Sequence, residues 1–186
     1  MHSGCVDRVA NLLGVLSLAV ADRLREATED ALSAGGGAAA AAVVHLEANP
    51  GESVSRLGLV LGLSQTGAVR LLDRLAALDL VQRSAGSDGR TVAVRLTEEG
   101  ARRAEQVRRA RIAVVRNVLA GLSEAELAAL TPVLEQLTHR LPAAAAGHQD
   151  PEWVDLLHLC RLCDRAACAQ EPGCPLRRTD LTDEAS

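Results

Sequence analysis

The sequence predicts a mainly α-helical fold: a winged helix-turn-helix with flanking dimerisation helices and a small C-terminal cysteine-rich metal-binding segment. Three observations predict it. The chain is 48% hydrophobic, rich in Ala and Leu, with one Trp and neither Phe nor Tyr, a composition that favours helices over sheet-rich sandwiches. Two short helical patterns meet at Gly62 and are followed by two strand-like runs around a polar turn. Four of the five cysteines crowd into residues 160–174.

Composition also narrows the function. At 186 residues the chain has the length of one domain, long enough to bury roughly two thirds of its unfolded surface. All 20 basic residues are Arg, which excludes Schiff-base and P-loop lysine chemistry. A single aromatic residue, Trp153, leaves no platform for stacking the bases of single strands. Net charge is −4, yet Arg56, Arg70, Arg74, Arg83, Arg90 and Arg95 outnumber the four acids of residues 51–96. Residues 98–116 then add six Arg against three Glu. A basic zone thus lies inside an acidic protein.

The elements follow in order. Val9, Leu12, Leu13, Leu16, Val20 and Leu24 continue through Asp22, Arg23, Arg25 and Glu26, the pattern of an amphipathic helix over about 6–33 rather than of a secretory signal. No run approaches the ~18–20 apolar residues of a membrane span, and a cytoplasmic protein with reduced cysteines is expected. Gly35, Gly36 and Gly37 break the first helix, and a second runs over 38–48 to the turn Asn49-Pro50-Gly51. Ser53 caps a short helix through Leu57, Val60 and Leu61. Ser64 caps another to about Leu78, burying Ala68, Leu71, Leu72, Leu75 and Leu78. Residues 80–83 and 91–96 read as strands around the polar turn 84–90, which makes a wing. Thr97 caps a long helix to about Leu119, with Glu98 and Glu99 at its positive end. Ser123 and Glu126 have capping-box spacing for a helix ending near Leu141. A linker over 142–150, a short helix over about 152–163, a cysteine-bearing loop and a polar tail complete the chain. The domain reading is 1–37 N-terminal dimerisation helix and linker, 38–96 DNA-binding domain, 97–141 C-terminal dimerisation helices, and 142–186 linker and cysteine-rich tail.

In this arrangement, Ser64, Gln65, Thr66 and Arg70 open a recognition helix and reach base edges in a major groove, while Arg74 and Arg83 suit phosphates. Arg90, on a narrow hairpin tip, suits a minor groove. The bland alternative is that these arginines solvate a surface and that Asp88 pairs with Arg90 to settle a turn. The segments SVSRLGLVLGLSQTGAVRLLDRL (53–75), LVQR (80–83), SDGR (87–90) and LTEEG (96–100), in that order, resemble the MarR family of bacterial transcription regulators over about residues 6–141. That resemblance implies that Arg90 enters the minor groove while Asp88 holds it. Gly67, early in the recognition helix, and the lack of Lys near the wing depart from the family pattern and bear on the operator sequence. The first helix and the two after the wing carry more apolar surface than a single winged domain covers. A two-fold homodimer facing a near-palindromic stretch of double-stranded DNA is therefore expected.

Cys160, Cys163, Cys168 and Cys174 form a C-x2-C-x4-C-x5-C pattern. Four soft ligands in one short segment enclose a metal centre by closing only small loops, and the tail has few apolar residues to build a core around instead. An iron–sulfur cluster, such as [2Fe–2S], and a closed zinc site both use four thiolates. The run Gly173-Cys174-Pro175-Leu176-Arg177 resembles the cluster loop of SoxR-type regulators of the MerR family, whose middle spacing is tighter than Cys163 to Cys168 here; the reading inclines narrowly toward iron–sulfur, with zinc the alternative. His158 reads as a helix-surface residue more than as an alternate ligand, and Cys5 has no assigned role.

These features give a dimeric DNA-binding regulator, in the sense of a repressor, whose cysteine centre senses redox state or metal. The alternative is a MarR-like regulator answering an organic effector, with a purely structural zinc site. A thiol oxidoreductase built on Cys160 and Cys163 would need a βαβ context that the sequence lacks. No Ser/His/Asp set or Gly-rich phosphate loop appears either, so an enzyme is not expected.

Overall fold

A computed structural model describes residues 3–33, 36–85 and 92–140, together with 158, 160–164, 168 and 174. Two compact units divide the chain, Met1–Ala120 and Gly121–Ser186.

The first unit contains five helices and a small sheet among its described residues. Helix α1 (Ser3–Leu32) ends where Ser33 takes a positive φ of 56°. Helix α2 (Gly37–Ala48) is buried on every side from Ala39 to Leu46, as a helix apolar all round must be. It forms the centre against which α1, α3 and α5 pack. After the turn at Asn49–Gly51 comes a strand that the sequence pattern does not reveal, β1 (Glu52–Ser53). Two residues are too few to show an alternation.

Ser53 then caps α3 (Val54–Leu61), its hydroxyl accepting the Arg56 N–H, and Gly62 ends that helix with a left-handed φ of 65°. Ser64 accepts the Gly67 N–H at the start of α4 (Gln65–Ala77). The two helices cross closely: a methyl group on Gly58 would stand 3.2 Å from the Ala68 Cβ. Strands β2 (Val81–Ala85) and β3 (Val92–Leu96) form the antiparallel wing, with Val81 opposite Leu96 and Ala85 opposite Val92. β1 pairs along the other edge of β3, Glu52 opposite Val94, so the sheet order is β1-β3-β2. Thr97 caps α5 (Glu98–Leu119), which buries Gly100, Ala104 and Val107. The core thus runs from Leu32 of α1 through α2 to Leu57, Val60, Leu72, Leu75, Val94 and Val107.

In the second unit α6 (Glu124–Arg140) opens on the expected capping box. Glu126 Oε2 accepts the Ser123 N–H at 2.8 Å and the Ser123 hydroxyl accepts the Glu126 N–H at 3.3 Å. The helix anticipated to reach Cys163 does not extend that far. Residues 160–162 are a turn, closed by the Cys163 N–H donating to the Cys160 carbonyl at 2.9 Å. The wing turn with Asp88 and Arg90, the linker 142–150, residues 152–157 of the short helix and the polar tail lie outside the described residues.

Candidate nucleic-acid interface

Helix α4 has a sharp division of faces. Ala68, Leu71, Leu72 and Leu75 are buried, which fixes the rotation of the helix and turns Gln65, Thr66, Val69, Arg70, Asp73 and Arg74 outward, all exposed along with Ser64. Polar side chains therefore occupy the first turn and arginines the turns that follow, on one continuous face. Arg70 and Arg74 make no ion pair among the described residues, and their guanidinium groups are available to bases or phosphates.

Arg83 is more engaged than the sequence suggests. From β2 its Nη1 meets Asp73 Oδ1 at 2.8 Å and its Nη2 donates to the Val69 carbonyl at 3.4 Å. The guanidinium ties the wing strand to the exposed face of α4. Asp73 and Val69 were missed as its partners because a contact between residues ten or more positions apart on different elements leaves no periodic trace. A hollow of about 350 Å³ lies beside this brace, lined by Ser53, Ser55, Gln65, Val69, Arg83 and Val92 among others.

The junction behind the wing is equally fixed. The Thr97 hydroxyl donates to the Asp79 carbonyl at 2.5 Å and accepts the Gly100 N–H at 3.0 Å, and the Thr97 N–H donates to the Leu80 carbonyl at 3.1 Å. On the first turn of α5 the Arg103 side chain donates to Glu99 at 2.8 Å. That bond, together with the charges of Arg102 and Arg103, holds the Glu99 carboxyl below its ordinary range.

Of the predicted sulfur ligands, Cys160, Cys163, Cys168 and Cys174 are all half-buried and unoxidised, whereas Cys5 is exposed on α1. The Cys168 thiol lies within hydrogen-bonding reach of those of Cys174 and Cys163. Burial, those two hydrogen bonds and the neighbouring sulfurs push it up to about 12. The Cys168 N–H donates to the Asp164 carbonyl at 3.0 Å. His158 takes part through its carbonyl, which accepts from the Arg161 guanidinium at 2.6 Å. Among the described residues no three or more His, Cys, Asp or Glu side chains already stand in a geometry that would hold a metal ion.

A sequence model of the MarR family matches residues 36–91, the span from α2 to the wing turn. The YusO protein from Bacillus subtilis superposes with a TM-score of 0.67 at 19% identity, over 75% of this chain and 99% of that one. The chain has the MarR-family fold. MepR, a transcription regulator of the Staphylococcus aureus multidrug efflux pump MepA, gives 0.62 at 17% identity, over 69% and 95%. A MarR mutant from Escherichia coli gives 0.57 at 25% identity, over 68% and 96%. A comparison with curated protein sequences gives no match. Within the MarR fold α3 and α4 are the helix-turn-helix and β2–β3 the wing, so the polar face of α4 occupies the place of a recognition helix. Among the described residues no helix is long and apolar enough to cross a membrane.

Proposed function

We propose that the protein is a dimeric transcriptional repressor that binds a near-palindromic operator in double-stranded DNA and whose affinity follows the state of its cysteine segment. The exposed face of α4 carries this reading: Ser64, Gln65 and Thr66 at the tip, Arg70 and Arg74 behind them, on a helix whose buried face locks its rotation. In the major groove the first three and Arg70 would contact base edges while Arg74 neutralises phosphate. Arg90 would enter the adjacent minor groove from the wing, positioned by Asp88.

The dimer follows from the apolar side chains left exposed. On the first half of α1, Val6, Val9, Leu12, Leu13, Leu16 and Leu18 are 45–72% exposed, more than a soluble monomer leaves in contact with water. A second copy covers them, and its recognition helix then falls about 34–36 Å from the first, one duplex turn away. Occupying such a site within a promoter blocks the polymerase. The test is selection of bound sequences from random duplexes, followed by fluorescence anisotropy on the selected site. A near-palindrome bound by a dimer is expected, with Gln65→Ala and Arg70→Ala relaxing base preference. Binding that is equal for all sequences and unaffected by both substitutions would exclude the assignment.

A further inference from the structure

We infer that Cys160, Cys163, Cys168 and Cys174 together ligate one thiophilic metal centre, held by four sulfurs. The site itself does not depend on the DNA-binding reading; only its regulatory consequence does.

The geometry begins with the backbone. The bond from the Cys163 N–H to the Cys160 carbonyl, 2.9 Å long, closes a turn with one cysteine at each end, so two sulfurs leave a single turn of chain. Five residues on, Cys168 starts from a second local bond, its N–H on the Asp164 carbonyl at 3.0 Å. Its thiol is within hydrogen-bonding reach of both Cys163 and Cys174. Cys168 thus stands near both Cys163 and Cys174, and Cys160 is tied to Cys163 by the turn.

Thiols are weak donors and weak acceptors, so sulfur–sulfur hydrogen bonds alone are a poor reason to gather four of them. All four are free thiols in this structure. A metal ion accounts for it: binding displaces one proton from each ligating thiol, and the cation neutralises charges that would otherwise repel. The loops to be closed are short, which keeps the entropy of closure low. Half-burial of every ligand leaves the sulfurs reachable yet partly shielded from water. Among the described residues no three such side chains already stand where they would hold a metal ion, so the inference requires the segment to close around the ion as it binds.

Four thiolates are the ligand set of a [2Fe–2S] cluster and of a closed zinc site alike, and the two are distinguished by the test. Full-length protein is purified without oxygen and assayed for iron, acid-labile sulfide and zinc alongside its visible spectrum. Expected is either iron with matching sulfide and a coloured spectrum, or one zinc per chain and no colour. Replacing Cys163→Ser and Cys174→Ser together should reduce the metal from stoichiometric to trace, while Cys5→Ser keeps it. Helical circular dichroism unchanged in the double variant shows that the winged unit is still folded. Folded protein without stoichiometric iron or zinc overturns the inference, as does a double variant with undiminished metal. Because metal content is read without DNA, loss of operator binding alone would count against the proposed function and leave this site standing.

Discussion

Gly100 stands where the wing, α4 and α5 meet, and nothing larger fits. A Cβ there would come within 1.9 Å of the Leu80 carbonyl oxygen, a backbone atom whose position is already fixed because it accepts the Thr97 N–H. Gly100→Ala should therefore cost stability by about 1–3 kcal/mol, the usual range for overpacking a fixed core, read as a lower urea midpoint. A midpoint equal to wild type would mean that the junction yields freely. The LTEEG motif held part of this information, since Thr97 could be recognised as a cap and Gly100 lies three residues on; the reason for the glycine could not, because Leu80 comes from another element. Arg90 is the second residue-scale case. On the sequence reading, which places it at the wing tip, it should contribute contact with DNA and little to folding. Arg90→Ala is expected to weaken operator binding by about 1–3 kcal/mol and to reduce the slope of log affinity on log salt by about one. Anisotropy titrations at several salt concentrations check both, and an unchanged slope would remove Arg90 from the interface.

Among the elements, α1 divides into two halves with different tasks. Thr28 and Leu32 are buried, whereas described side chains from Cys5 to Ala19 are exposed, although the apolar spacing runs through both halves. The second half packs within its own chain and the first has its apolar stripe still uncovered. Leu12→Glu with Leu16→Glu should thus separate the copies without opening the core. Sedimentation velocity should show the double variant as a folded monomer, its operator affinity reduced because each half-site is bound alone. A variant that stays dimeric would place the interface elsewhere. The existence of α1, α3, α4, α5 and α6 was legible because each declares itself by a 3.6-residue period and, from α3 on, by a capping side chain: Ser53, Ser64, Thr97 and Ser123. β1 was not, since Glu52 and Ser53 become a strand only through pairing with Val94 and Ala93. The brace from Arg83 to Asp73 was hidden for the same reason. What the sequence conceals here are contacts between elements, while periods and caps within an element are plain.

At the scale of the whole molecule the question is how a cysteine segment in the unit Gly121–Ser186 could influence a recognition helix in the unit Met1–Ala120. The chain is acidic overall, with a net charge of −4, so the proposed affinity for DNA would rest on where two copies hold their arginines rather than on bulk charge. On the proposed reading both half-sites are engaged together, which would make affinity sensitive to anything that alters the geometry of the dimer. α6, in the same unit as the cysteines, still exposes Leu127, Val133, Leu134 and Leu137, apolar side chains suited to that dimer. A metal that orders the segment after α6 can bias this arrangement only by as much as its own affinity differs between the two states. Coupling of this kind is typically about 1–3 kcal/mol, or roughly 5–150-fold in affinity, and is reciprocal. Metal-loaded and metal-free protein should accordingly differ in operator Kd by a factor in that range, and saturating operator should change the affinity for the metal by the same factor. An iron–sulfur centre would respond to oxidant, a zinc centre to chelator. The Cys163→Ser, Cys174→Ser variant should then bind the operator as the metal-free protein does, whatever the metal supplied. Equal operator affinity for the loaded, metal-free and doubly substituted proteins would make the metal site purely structural and end its role as a sensor.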